Sequence, residues 1–408
     1  MNWNDDGFLE PIQTADIEND NDLFRVCPFN IMPEETVKDE DELARIFLPD
    51  ASQADDSIGH FLGTYVGFSN EFRITSSSGG LATYIFKRLL EENIVDRLFV
   101  VSEAEGTYRY QLLSKIEDIT VISKTRYIPV TLASLFDELE SINGRVAVSG
   151  VACFIKAIRL KQHYHPKLKE KIPFLVGIVC GGLKSRFFTD YLAQRAGIST
   201  GYRNPEYRLK DENSTASDYS FGALDKNNVF HQVKMRTLGD MWGTGLFKAN
   251  ACDYCTDVLT ELADISLGDA WLDEYRSDGL GNSVIVTRSP IADLIVKNGI
   301  ENGDLTVKQV DKSLIAKSQK SSFSHRRDGL KLRVLLRKIS FKKVPYLRKH
   351  VKTFPTVLFS LVQLQRTVTR RKSIGLWRKV RNAHSFDAQM KLHLRILSLL
   401  TLLYHKFR

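Results

Sequence analysis

The chain has 408 residues, 43% of them hydrophobic, enough to bury a sizeable core and too many for wholesale disorder. It has no run of eighteen apolar residues, which excludes an ordinary transmembrane helix, and its acidic start, Met1-Asn2-Trp3-Asn4-Asp5-Asp6, lacks the apolar stretch of a secretory signal, so a cytoplasmic protein is expected. The net charge of +8 is divided unevenly: residues 317–408 carry +22 and the remainder −14.

Residues 1–56 are polar and acidic and read as loops with one short helix near Glu40–Phe47. Residues 63–68 read as a strand. Ser76-Ser77-Ser78-Gly79-Gly80 then leads into a helix over 81–90, with apolar residues at helical spacing and serines placed to cap it. Strands follow at 97–101 and 145–150, then a helix over 152–163. A buried-type strand spans 174–180 and ends at Gly181-Gly182, with a helix over 187–196 after it. Residues 201–245 read as an inserted β or loop region. Strands return at 263–271 and 283–288, and from about Ser313 the chain is basic and helical. This alternation predicts a mixed α/β (α+β) fold, with a mixed sheet core, an inserted β region and a basic helical C-terminal extension. The expected divisions are 1–56, 57–312 and 313–408; no internal repeat is present.

Five cysteines without an export signal make a disulfide framework a poor explanation. Cys153 and Cys180 each close a strand, and in open α/β sheets ligands gather beyond the carboxyl ends of strands. Cys252-Asp253-Tyr254-Cys255 is a C-x-x-C pair, whose spacing suits a metal or a redox dithiol. Four thiolates match the ligand set of a [4Fe–4S] cluster, and zinc accepts the same set. Taken singly, Cys153 and Cys180 also suit plain burial. The turn Ser77-Ser78-Gly79-Gly80 ahead of a helix suits a flavin or nucleotide phosphate, or an ordinary helix cap. His163 and His165 sit in a polar stretch and read as solvated; Trp271 suits either stacking on a flavin or core packing. In the basic extension, 354–365 and 392–403 are apolar but too short to span a bilayer. Arg366, Arg370, Arg371, Lys372, Arg378, Lys379 and Arg381 lie between them. Such helices suit an anionic membrane surface, an acidic partner, or simple packing on the acidic body, with nucleic acid the least favoured.

The ordered blocks Ser77-Ser78-Gly79-Gly80, Gly150-Val151-Ala152-Cys153, Gly177-Ile178-Val179-Cys180-Gly181 and Cys252-x-x-Cys255-x-Asp257, followed by the long run Ala263-Asp264-Ile265-Ser266-Leu267-Gly268-Asp269-Ala270-Trp271, resemble the family of coenzyme F-420 hydrogenase/dehydrogenase beta subunits over roughly residues 1–330. Arg208, Lys210, Ala216, Asp218 and Tyr219 resemble a recurring patch of bacterial members. The resemblance implies FAD and iron–sulfur cofactors, with electrons passed between a cluster and an organic substrate. It also implies an electron-donor protein or reduced cofactor as partner. By position it implies Cys153, Cys180, Cys252 and Cys255 as cluster ligands, and Ser77, Ser78, Gly79, Gly80, Asp264, Gly268 and Asp269 as flavin-site residues. Some bacterial relatives occur among surface-polysaccharide biosynthesis proteins, and the resemblance extends that setting to this chain.

The chain departs from the family pattern at three places. Of the ferredoxin-like cysteine run only Cys27-Pro28 remains; the other ligand positions hold Leu23, Asp20 and Ile17, so that cluster is expected to be absent. Gly-Val-Ala-Cys stands at 150–153 for the usual Gly-Thr-Pro-Cys, and Gly181 stands where the family has His. These losses support a rival reading, a non-catalytic subunit or scaffold of a polysaccharide-assembly complex.

Overall fold

The β-branched and aromatic runs of this chain assemble into one eight-stranded mixed sheet. A computed structural model describes residues 1–14, 20–114, 116–348 and 354–407; Ile17 lies outside these. The elements in chain order are β1 (Gly63–Ser69), α1 (Leu81–Glu91), β2 (Arg97–Ala104), β3 (Thr107–Leu113), β4 (Val146–Val151), α2 (Ala152–Tyr164), β5 (Phe174–Ile178) and α3 (Arg186–Arg195). After an insertion come β6 (Ile265–Asp269), β7 (Ser283–Thr287), α4 (Pro290–Glu301) and β8 (Leu305–Gln309). The strand order is β8-β1-β7-β6-β5-β4-β2-β3. β2, β4, β5 and β6 run parallel, and the outer pairings are antiparallel.

Parallel strands are apolar on both faces because both are covered. Leu98, Val100, Phe174 and Val176 face α1, while Phe99, Val148 and Leu175 face α2, following the two-residue alternation of a strand. The helix α1 begins without a serine cap. Gly80 precedes it at φ 79°, and a Cβ there would stand 2.6 Å from the Phe72 carbonyl carbon. The serine-cap expectation is therefore replaced by a left-handed glycine. The strands β3 and β8 and the helix α4 are additions to the sequence reading.

The inserted region forms a three-stranded antiparallel sheet, Arg203–Leu209, Ser220–Leu224 and Phe230–Lys234. The extension forms α5 (Leu330–Ile339), then an antiparallel helical hairpin, α6 (Val357–Val380) and α7 (Ala383–Lys406). Insertion and extension share one core: Trp377 and Phe386 pack with Tyr191, Phe247, Tyr207 and Phe221. Much of the extension's charge is used internally. Arg348 pairs with Glu261 at 2.9 Å and Asp41 at 2.7 Å, and Arg327 pairs with Glu261 at 2.9 Å. Among the described residues no helix is long and apolar enough to cross a membrane.

Candidate functional site

The parallel strands β4, β5 and β6 end at one edge of the sheet, which delivers Cys153, Cys180 and Asp269 to the same side. β1 runs in the same direction, and the Ser69 amide donates to the Gly79 carbonyl at 2.7 Å, drawing the Ser77–Gly80 turn to that edge. This is where ligands bind in open α/β sheets.

The cysteines come from three loops. Cys153 lies in the first turn of α2, Cys180 just past β5, and Cys252 and Cys255 in and after the turn Ala251–Asp253. An antiparallel bridge between Lys184 and Lys248 ties the second loop to the third. The Leu183 amide donates to Cys252 Sγ at 3.2 Å, and the Gly182 amide to Cys180 Sγ at 3.3 Å. Cys153 and Cys255 line one narrow crevice with Pro28, Phe29 and Lys156. Burial pushes the Cys153 thiol well up, and the charges of Cys255, Cys252 and Cys180 add to that push. Burial likewise raises Cys252, and Cys255 is pushed up to about 12.

A buried cation stands among these thiols. Arg326, on the π-helical turn Ser324–Asp328, places Nη1 3.4 Å from Cys255 Sγ and donates to the Asp257 and Cys180 carbonyls. Burial opposes its charge, and Cys255, Cys180, Cys252 and Asp257 outweigh burial. With neutral thiols Arg326 would have Asp257 for its counter-charge; thiolates gathered on a cluster would add to it. The donor set therefore fits a sulfur-ligated anionic centre. Among the described residues no three His, Cys, Asp or Glu side chains close on a point as a single ion requires. A four-iron centre binds each thiolate at a separate corner, so its ligands need not meet at one point.

The loop between Cys252 and Cys255 is fixed by Asp253. Its carboxylate meets Lys248 at 2.6 Å and Arg370 of α6 at 2.8 Å, and its carbonyl accepts from Arg333 of α5 at 2.8 Å. Burial alone would raise the Asp253 pKa; His325, Lys248 and Arg370 hold it well below the carboxylate range.

Beside the Ser77–Gly80 turn lies a cleft of about 560 Å³, lined by Ile74, Ser76, Lys124, Lys210, Lys234 and Leu280. That size falls in the range of cofactor pockets. Lys210 Nζ donates to the Ser78 carbonyl at 2.8 Å and the Leu280 carbonyl at 3.0 Å. Burial, then Arg73, Lys124 and Arg208, lower its pKa to about 7. In the cleft lining, Ser76 Oγ is buried without a hydrogen-bond partner. An unmet hydroxyl among lysines suits a polyanionic ligand such as a dinucleotide. Beside the second cysteine loop, a Cβ on Gly181 would stand 3.1 Å from Trp242, whose ring lies 4.7 Å from Tyr127. The Tyr127 phenol is pushed up by burial, while the Arg208 charge beside it opposes the rise.

Three comparisons bear on this arrangement. The coenzyme F420 hydrogenase/dehydrogenase beta-subunit pattern matches in two parts, its N-terminal part over residues 64–137 and its C-terminal part over 143–313. The chain belongs to this family. It is 23% identical over 256 residues to the coenzyme F420 hydrogenase subunit beta of Methanosarcina barkeri, covering 55% of this chain and 79% of that protein. It is 24% identical over 213 residues to the F subunit of the F(420)H(2) dehydrogenase of Methanosarcina mazei, covering 51% of this chain and 57% of the relative. Its fold matches a chain of the F420-reducing [NiFe] hydrogenase complex from Methanosarcina barkeri, with a TM-score of 0.55 and 21% identity over 72% of this chain and 99% of that one.

Within this fold the residues named from sequence divide into three groups. The four cysteines stand on converging loops, and the Ser77–Gly80 turn and Asp269 stand at the same sheet edge. Arg208 pairs with Asp269 and lies 5.5 Å from the Trp271 ring, so those three meet. Asp264 is elsewhere, at the opposite end of β6, buried in a 3.0 Å pair with Arg159 and accepting from the Leu175 amide at 2.8 Å. The glycines serve packing: a Cβ on Gly79 would stand 2.8 Å from the Gly67 carbonyl oxygen, and one on Gly268 would stand 2.6 Å from Val179 Cβ. Cys27 stands apart in its own loop, though its neighbours Pro28 and Phe29 line the crevice over Cys153 and Cys255. Sequence reasoning missed Arg326, Arg333 and the cleft residues Ser76 and Lys124. The first two lie beyond the family match, and only the excess charge of the extension hinted at them.

Proposed function

We propose that this chain is a flavin-dependent oxidoreductase with one [4Fe–4S] cluster, passing electrons between the cluster and an organic substrate. The carrying observation is the set of four cysteines disposed around one buried guanidinium, Arg326. Cys153, Cys180, Cys252 and Cys255 would hold the cluster. The 560 Å³ cleft would hold FAD, with Lys124 and Lys234 toward its phosphates and Lys210, whose three donors are taken by the Arg73, Ser78 and Leu280 carbonyls, contributing charge alone. Bound there, a flavin supplies hydride exchange on the substrate side and single-electron exchange toward a cluster. The protein's own part is positional. Arg326 offsets thiolate charge, and Lys210 binds the turn through its carbonyls and offers a proton-dependent cation. An electron-donor protein or a reduced cofactor would reach the crevice over Cys153 and Cys255. A surface-polysaccharide setting belongs to the same proposal and rests on the sequence resemblance.

Anaerobically purified protein is expected to contain about four iron per chain, the content of one [4Fe–4S] centre. Cys255→Ser should remove the iron and Cys27→Ser should leave it. Heat-released cofactor should be FAD. Zinc in place of iron, with no flavin, would sink this reading and leave the non-catalytic scaffold.

A further inference from the structure

The hairpin of α6 and α7 lies outside the family match and carries ten Lys or Arg and one acid, Asp387, across Val357–Lys406. Its root is anchored by Trp377 and Phe386, and Asp387 is occupied by Tyr191 at 2.9 Å and Arg195 at 3.2 Å. The far end is different. There Phe359 and Val362 meet Leu397, Leu400 and Tyr404 in a small core, and the outer faces remain apolar.

On α7, Leu392 is 66% exposed, Leu399 59% and Leu402 65%, with Ile396 between them. The spacing i, i+4, i+7, i+10 puts them in one stripe. Exposed Arg395 and Lys406 fall on the same face and Lys391 on its flank. On α6, Val357, Leu361, Leu364 and Val368 form a second exposed stripe, which continues into exposed Arg371 and Lys372. The two apolar segments lie at the same end of the hairpin, since Phe359 stacks on Tyr404 at 4.7 Å.

We propose that this end of the hairpin is a docking surface for an anionic lipid bilayer. Arg395 interrupts the apolar stripe, Lys391 and Lys406 flank and end it, and the hairpin's surplus of ten cations over one acid complements anionic headgroups. Long aliphatic side chains mixed with Lys and Arg on a helix suit the headgroup boundary, where the chains insert and the cations meet phosphate and carboxylate headgroups. The chain lies flat on the surface, as neither helix crosses it. This inference is independent of the redox reading, because no cysteine or cleft residue takes part.

The test is cosedimentation of the full chain with phosphatidylcholine vesicles, with and without phosphatidylserine. Binding is expected only with phosphatidylserine, and it should weaken steeply as salt is raised. The double variants Lys391→Glu/Arg395→Glu and Leu399→Ser/Leu402→Ser should each bind at least roughly tenfold more weakly, while unfolding at the wild-type temperature. Absence of binding to phosphatidylserine vesicles at low salt overturns the proposal. So does undiminished binding by both variants. A dimer in sedimentation equilibrium that Leu399→Ser/Leu402→Ser disperses, with no lipid binding, assigns the stripe to a second copy of the chain instead.

Discussion

The two parts of the basic extension use the same residue types in opposite ways. Between 313 and 348 the arginines point inward: Arg348 meets three carboxylates, Arg327 meets Glu261, and Arg326 meets cysteines. On the outer hairpin, Arg371, Lys372, Lys391 and Arg395 stand in solvent. A sum of charge along the sequence treats these groups alike. Their energetic weight depends on what replaces water around each cation, and that runs from carboxylates, through thiols and carbonyls, to water itself.

Four substitutions test that gradient. The largest effect is expected at Arg348. Removing it leaves Glu261 and Glu40 buried beside one another without their shared cation, so Arg348→Ala should lower unfolding free energy in urea by ~3–5 kcal/mol. Against its burial, Glu40 is held down to about 2 by Lys156 and Arg348. A carboxylate with a lowered folded pKa adds stability that is complete above its unfolded value and is lost as pH falls toward the folded one. Arg348→Ala should therefore also unfold at a higher pH during acid titration. A variant as stable as the wild type would show that the buried pairs contribute nothing net.

Arg326→Gln comes next. It keeps a polar amide donor but removes the cation beside Cys255 and Cys180. Iron loss to a chelator should be roughly tenfold faster, about 1.4 kcal/mol, with the urea midpoint changed less than in Arg348→Ala. Unchanged iron release would separate Arg326 from the cysteine site.

Lys210 is the intermediate case, a cation set against carbonyl oxygens and lowered to about 7. The protonated form attracts phosphate, so FAD should bind roughly tenfold more tightly at pH 6 than at pH 8, one unit either side of the midpoint. Lys210→Met should bind weakly and lose that slope. Flavin fluorescence on release gives the measurement; the same slope in the variant would move the titrating group elsewhere. The smallest effect is expected at the outer surface, where Lys391→Glu/Arg395→Glu should change stability in the same urea assay by no more than ~0.5 kcal/mol.

Most of the sheet was legible because local pattern and final environment agree. The strands β1, β4, β5, β6 and β7 combine β-branched residues with glycine boundaries and lie in the sheet interior. The edge strands were missed: β3, Thr-Tyr-Arg-Tyr-Gln-Leu-Leu, alternates polar and apolar residues, and β8 is half exposed. The cysteine loops were legible from their place after strands. Asp264 shows the limit of that logic. It sits in the same sequence block as Asp269, but β6 separates them, so one pairs with the buried Arg159 and the other with Arg208 at the opposite end. Arg326 could not be read at all, since it reaches Cys255 across 71 residues and no spacing rule links them.

That separation also has a consequence in time. At roughly 5–20 residues per second, the ribosome adds Arg326 some 4–14 s after Cys255, given the 71 positions between them. Arg333 and Arg370, which brace the loop at Asp253, come later still. During synthesis the thiols exist before the cation that will sit among them and before the helices that will shield them. They are then open to oxidation and to capture by a competing ion. A cluster held as proposed would be sealed in only once the C-terminal helices have folded back.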